Sequence, residues 1–276
     1  MVEDQTISRV TKAFAVAGLT MGLTVSSANA GFLTYFGEDL NSSSTVPLAA
    51  FPNAVAAESS FLAGLTGVGT EDFESFASGS GAPLVLSFPG AGTATLLGSG
   101  SVESVTPGST NGAGRYATSG SNFWSMSTST TSAFDISLSA PTAAFGFFGV
   151  DIGDFGDQIE ITLNDLAGTS FLVPNSIGSS GSTDGSVLFF GIIGTTAADT
   201  FTQVSIASTI GGEVFAFDDF TIGSLEQVTV PVPEPATLAM FGLGLAGLGF
   251  AARRRRSISS FDGSKDRSPG NGHTSR

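Results

Sequence analysis

The chain has 276 residues, a formal charge of −14 from 10 Lys and Arg against 24 Asp and Glu, one His and no Cys. Residues 31–235 hold 20 of the acidic side chains and a single cation, Arg115, with no Lys, His or Cys. That middle therefore lacks the groups of a serine–histidine relay, a thiol nucleophile, a Schiff-base lysine or a His/Cys zinc site, and it lacks the basic footprint of nucleic-acid binding.

At the start, Arg9 and Lys12 precede an apolar stretch from Ala13 to Val25 that is too short to span a bilayer comfortably. Ala28-Asn29-Ala30 follows as a small-x-small cleavage site. The pattern predicts a signal peptide over residues 1–30; an uncleaved anchor or a buried helix is the alternative.

Residues 31–230 read as one all-β domain. Its first predicted element is the exception, a short helix near 53–65. Asn53 is its expected cap, and Val55, Ser59, Leu62 and Leu65 are its expected inner face. Strands are predicted over 71–76, 84–88, 93–97, 101–105, 123–127, 132–138, 143–151, 158–163, 187–193, 201–207 and 214–222. These runs of β-branched and aromatic residues are punctuated by Pro89-Gly90, Pro107-Gly108, Asn111-Gly112 and Asp184-Gly185. Alternation in Phe134-Asp135-Ile136-Ser137-Leu138 buries one face and wets the other. So many short strands predict a two-sheet, jelly-roll-like sandwich.

Three sets of residues in this domain are candidates for chemistry. Glu71, Asp72 and Glu74 lie on the first predicted strand and Asp218 and Asp219 on the last; on a strand, Asp72 and Glu74 would share a face. A solvated, aggregation-resisting strand edge is the simpler reading of such charges. Asp151, Asp154, Asp157 and Glu160 recur every three residues, unlike the alternate-position ligands of an EF-hand loop, and read either as a loop metal site or as a polar turn. Tyr116 and Trp124 lie in the Gly/Ser-rich middle, where Trp124 is either a ligand platform or a core anchor. A glycoside hydrolase needs two carboxylates at a set separation, and nothing among the acidic residues selects such a pair.

At the far end, Val230-Pro231-Val232-Pro233-Glu234-Pro235 forms an extended stalk. An uncharged, mostly apolar span over 236–252 predicts a transmembrane helix, and Arg253, Arg254, Arg255 and Arg256 predict that its C-terminal end is cytoplasmic. Gly242-Leu243-Gly244-Leu245-Ala246-Gly247 spells a dinucleotide fingerprint, but it sits inside the apolar span and not between a strand and a soluble helix.

Pro233-Glu234-Pro235, the glycine-rich span and the arginine cluster together resemble the PEP-CTERM sorting signal of exosortase substrates in Gram-negative-type bacteria. The resemblance covers 231–256 and implies a transient inner-membrane anchor, recognised and processed by a membrane-embedded cysteine protease. Residues 257–276 continue as a polar tail beyond the point where such signals usually stop. More loosely, the acidic pairs with Phe145-Gly146-Phe147-Phe148-Gly149-Val150-Asp151, Phe189-Phe190-Gly191 and Phe217-Asp218-Asp219-Phe220 resemble secreted bacterial jelly-roll domains. That likeness implies structural calcium shared by Glu71, Asp72, Glu74, Asp218 and Asp219, and in some relatives carbohydrate binding. The expectation is an exported, non-enzymatic surface or extracellular-matrix protein associated with exopolysaccharide or biofilm. A carbohydrate-binding module or adhesin is the alternative, and a glycoside hydrolase is a distant third.

Overall fold

A computed structural model describes residues 31–127, 134–179, 181–212 and 214–229. The signal peptide with Ala28 and Ala30, the sorting motif, the apolar span, the arginine cluster and the tail lie outside the described residues. Among those described, no helix is long and apolar enough to cross a membrane.

The elements run β1 (Phe32–Asp39), α1 (Pro52–Ala63), β2 (Thr70–Glu71), β3 (Leu84–Phe88), β4 (Gly92–Leu97), β5 (Ser101–Ser104), β6 (Asn122–Ser127), β7 (Phe134–Thr142), β8 (Ala144–Val150), β9 (Ile159–Leu163), β10 (Ser170–Leu172), β11 (Val187–Gly194), β12 (Phe201–Ser208) and β13 (Val214–Gly223). They form two antiparallel sheets. One has the order β1-β11-β8-β13-β6-β5, with β2 beside β13; the other has the order β10-β9-β12-β7-β4-β3. From β6 onward the chain crosses between the sheets at every step except β9 to β10, so the core between them is interleaved from distant parts of the sequence.

In the second sheet the alternation seen in the sequence holds. Leu84, Leu86 and Phe88, Phe134, Ile136 and Leu138, and Ile159, Ile161 and Leu163 face the core, while the residues between them are exposed or half-buried. The first sheet behaves differently because both of its faces are covered. In β8, Phe145 and Phe147 enter the core between the sheets, whereas Phe148 and Val150 pack on the other side, under α1. β11 divides in the same way, with Leu188, Phe190 and Ile192 inside and Val187, Phe189 and Ile193 beneath the helix. Every residue of these two strands is consequently buried.

The helix seats on the sheet through glycine. Gly146 and Gly191 are register partners on β8 and β11, and a Cβ on either would stand 2.9 or 2.7 Å from the Phe61 ring. Only a bare backbone lets that ring lie on the sheet, where it also meets Tyr35 and Phe189 at centroid distances of 5.8 and 5.5 Å.

The structure corrects three expectations of local structure. The helix starts one residue earlier, with Pro52 in its first turn and Phe51 as the capping residue. Asn53 reaches back to the Glu38 carbonyl, while Asp39 of β1 accepts from the Ala54 N–H at 2.9 Å, so the helix end is capped from another strand. The buried face is Ala54, Ala57 and Phe61 rather than the predicted set, and Val55 is exposed. Finally, the strand expected over 71–76 ends at Glu71. Phe73 takes a left-handed φ of 60°, and the chain turns so that Asp72 and Glu74 sit on a loop.

The glycine seat generates a prediction. Gly191→Ala should push Phe61 and the helix off β11 and cost about 1–3 kcal/mol, the usual range for overpacking. Chemical denaturation would measure it, and a Phe61→Leu background should recover part of the loss; an unchanged midpoint for Gly191→Ala would contradict the seat.

Candidate functional site

Scarcity of cations governs how the acidic residues are held. Asp218 on β13 is fully buried. Its Oδ2 accepts from the Thr118 and Ser119 N–H groups at 2.7 and 3.1 Å, and its Oδ1 from the Asp219 N–H at 2.8 Å. Asp219, at a left-handed φ of 50°, accepts from the Thr118 and Ser119 hydroxyls at 2.9 and 2.8 Å. Glu74 accepts from the Ser121 and Asn122 N–H groups, both at 2.6 Å, and Glu71 from the Phe73 N–H at 3.0 Å. The fold thus brings Glu71, Asp72, Glu74, Asp218 and Asp219 into one neighbourhood. All five turn oxygens toward N–H or O–H donors: Glu71 and Asp72 close the local turn, Glu74 ties the 118–122 loop to that turn, and Asp218 and Asp219 tie the loop to β13. Burial raises the carboxyl of Asp218 well above its ordinary value, with Asp219 adding to the effect. Asp219 is also raised by burial, despite the Ser119 and Thr118 hydroxyls, with Asp72 and Glu74 contributing.

A different set converges at the loop end of the sandwich. Asp151 follows β8 at a left-handed φ of 66°. Its N–H donates to the Ser186 carbonyl at 3.0 Å, and its Oδ1 accepts from the Gly185 N–H at 2.8 Å. Asp154 lies in the next turn, and Asp184 in the turn that leads into β11. One oxygen from each of the three lies within 4.8 Å of the others, the group of this kind among the described residues. Hard oxygen donors at that spacing suit a divalent cation. The chain supplies a cation of its own, because Arg115 on the loop between β5 and β6 places its guanidinium 3.7 Å from the Asp151 carboxylate. That approach needs Gly114, whose Cβ would collide with Asp151. Burial pushes the Asp151 carboxyl up to about 7, reinforced by Asp154 and Asp184 and opposed by the Gly185 N–H and Arg115.

Around this group lies a cleft of about 430 Å³, lined by Asp151, Asp154, Phe155, Asp184, Arg115 and the backbone near Gly112 and Gly212, among others. Phe155 is 69% exposed, unlike the phenylalanines of the core. The four acidic residues of the sequence pattern separate here. Asp151 and Asp154 enter the cleft. Asp157 instead accepts from the Ser208 and Thr209 hydroxyls and the Ile210 and Gln158 N–H groups, and Glu160 is an exposed β9 residue. For Asp157, burial favours protonation, but those hydrogen bonds prevail and hold the carboxyl below its ordinary value.

The aromatic candidates are corrected by the structure. Trp124 is fully buried on β6, stacked between Phe73 and Phe134 at 6.3 and 6.0 Å, so its ring offers no face to a ligand. Tyr116 is 4% exposed; its hydroxyl donates to the Gly185 carbonyl at 2.9 Å and accepts from the Leu48 N–H at 3.1 Å. Burial drives its pKa to about 12. It supports the cleft from beneath. Sequence reasoning passed over Phe155 and took Asp184 for a hairpin turn; a phenylalanine set between Asp154 and Gly156 in a polar loop was the available signal.

A family model for the PEP-CTERM protein-sorting motif matches residues 231–256. The chain carries a PEP-CTERM sorting motif. The motif implies an exported, membrane-transiting protein processed by an exosortase and ending at the cell surface. A comparison with curated proteins finds no match. Among solved structures, the PEP-CTERM chain is similar to the K2 cleaved adhesin domain of Lys-gingipain, at 16% identity and a TM-score of 0.31 over 56% of this chain and 97% of that one. It is also similar to the CBM22-1 xylan-binding domain of Paenibacillus barcinonensis Xyn10C, at 10% identity and a TM-score of 0.34 over 60% of this chain and 96% of that one. A third is TmCBM61, solved with β-1,4-galactotriose, at 16% identity and a TM-score of 0.28 over 55% and 94%.

The raised carboxyls set the direction of pH dependence. A buried Asp with its pKa raised holds a proton in the native state that the unfolded chain releases, so its contribution worsens as pH rises from about 4, the unfolded value, through the native one. Asp151, Asp218 and Asp219 act in this sense, and only Asp157 among the resolved carboxylates opposes them. The melting temperature should therefore fall by several degrees between pH 5 and pH 8, and Asp151→Asn should flatten that slope. A melting temperature that climbs over the same interval would refute the assignment.

Proposed function

We propose that this is an exported, non-catalytic surface or extracellular-matrix protein, retained in exopolysaccharide, whose sandwich binds glycan at the Asp151–Asp154–Phe155–Asp184 cleft. One observation carries the binding reading: an exposed phenylalanine ring standing beside convergent carboxylates in a cleft of about 430 Å³. That volume lies in the usual range for small-molecule sites. A sugar presents an apolar C–H face and a rim of hydroxyls; the first matches an aromatic ring, and the second matches carboxylate acceptors. Binding needs only these groups. The sorting motif supports delivery to the compartment where such a ligand is found.

Two experiments test the two halves. In a host that possesses the sorting protease, Glu234→Ala with Pro235→Ala should leave the protein in the membrane fraction at its unprocessed mass; normal release would refute processing at that motif. Phe155→Ala should lower retention on purified exopolysaccharide at least about fivefold with an unchanged melting temperature, because the ring is largely in solvent. Equal retention would remove the cleft from binding.

A further inference from the structure

Three loops meet beside the cleft and expose apolar side chains together. Phe155, Ile177 and Ile210 are 69%, 59% and 63% exposed. Ile177 and Ile210 flank Gly156, the residue that follows Phe155: a Cβ there would stand 3.9 Å from Ile177 and 4.0 Å from Ile210. Hydrogen bonds hold the loops in place, with the Gly178 N–H on the Gly153 carbonyl at 2.8 Å and the Ile210 N–H on the Asp157 carboxylate at 3.0 Å. An apolar platform on fixed loops is not the refuse of an unfinished core. It adjoins, through Phe155, a cleft with three carboxylates and one guanidinium.

Charge decides what the platform can take. The domain carries 19 acidic side chains against Arg115, so anionic polymers and anionic lipid surfaces are repelled at long range. A neutral sugar would give the carboxylates hydrogen bonds charged on the acceptor side only and would leave their mutual repulsion in place. An ammonium group adds the opposite charge on the donor side. The complementary ligand therefore combines an apolar ring face with a positive charge. We propose that the cleft and its platform bind a cationic amino-sugar chain, the pyranose faces lying on Phe155, Ile177 and Ile210 and the protonated amines directed to Asp154 and Asp184. This rests on the glycan-binding reading and narrows it to one chemical class.

The test uses calorimetric titration of the exported protein at mildly acidic pH, where sugar amines are protonated. The probes are the fully deacetylated β-1,4-glucosamine hexamer and its N-acetylated counterpart. The deacetylated hexamer should bind at least about tenfold more tightly. Phe155→Ala and Asp184→Asn should each weaken it at least about fivefold. Glu226→Gln, which removes a charge at a turn beyond β13, should leave it unchanged, and melting temperatures of the variants confirm folding. Comparable Phe155-dependent binding of both hexamers would overturn the amino-sugar assignment while leaving the glycan site standing. Equal weakening by Glu226→Gln and Asp184→Asn would also overturn it, showing attraction of a polycation to the whole domain. Binding of either hexamer that ignores Phe155 would overturn both readings. Phe155-dependent binding to phosphatidylglycerol vesicles, with neither hexamer bound, would reassign the platform to a membrane.

Discussion

An acidic domain with one arginine cannot settle its buried carboxylates by ion pairing, and the architecture of its loops follows from that constraint. Leaving such a group unpaired in the interior costs several kcal/mol, whereas a hydrogen bond to a charged partner contributes about 1.5–3. The fold meets the need with backbone N–H groups and hydroxyls. Glu38 is held by Ser176, Asp165 by Thr169, Asp199 by Thr195 and Thr196, and Asp218 with Asp219 by Thr118 and Ser119. Each of these fastens a loop or turn at a strand end. The abundance of serine and threonine thus has a physical use, for it supplies the donors that lysine and arginine supply elsewhere.

The aromatic core is a separate system. Phe147 meets Phe145, Phe190, Phe217 and Phe220 at centroid distances between 5.3 and 6.3 Å, and the helix closes the far side of the same sheet through Phe61. Sheet geometry is therefore set by rings, and loop geometry by carboxylates. The two systems meet after β8, where a strand buried on both faces ends in Asp151. There the backbone turns left-handed and the carboxylates face one another across a cleft. The one cation of the domain lies there too, which fits the principle that like charges brought together need a counter-charge or a proton.

Much of the sandwich was legible because alternation and turn chemistry are local signals. The strands at Leu84–Phe88, Ile159–Leu163 and Val187–Gly194 fall within a residue of the runs read from the sequence, with Pro89-Gly90 closing the first and Asp184-Gly185 opening the third. What escaped depends on partners distant in sequence. β1 reads as mixed because it lies at a sheet edge beside the helix and lacks a clean two-residue period. The helix phase was misread because Phe61 is selected by two glycines more than 80 residues away, on β8 and β11. The short strand β2 ends at Glu71 because Phe73 turns inward to stack on Trp124, and no propensity records that. The site escaped for the same reason: Arg115, Asp151 and Asp184 come from three loops. The sorting motif, by contrast, is a linear segment whose whole signal lies in consecutive residues.

This division bears on what the protein can withstand after export. Clamps made of buried carboxylates and short-range donors are screened by salt far less than surface ion pairs are, and a chain without cysteine has no redox state to keep. The remaining liability is loss of protons. With Asp151, Asp218 and Asp219 all raised, the native state holds protons that neutral water would take. A positively charged ligand at the cleft opposes that tendency, since an ammonium beside Asp154 and Asp184 lowers the local cost of ionising Asp151, as Arg115 already does. Binding and proton release at Asp151 are on this account linked, within the mildly acidic range in which the sugar amine keeps its charge.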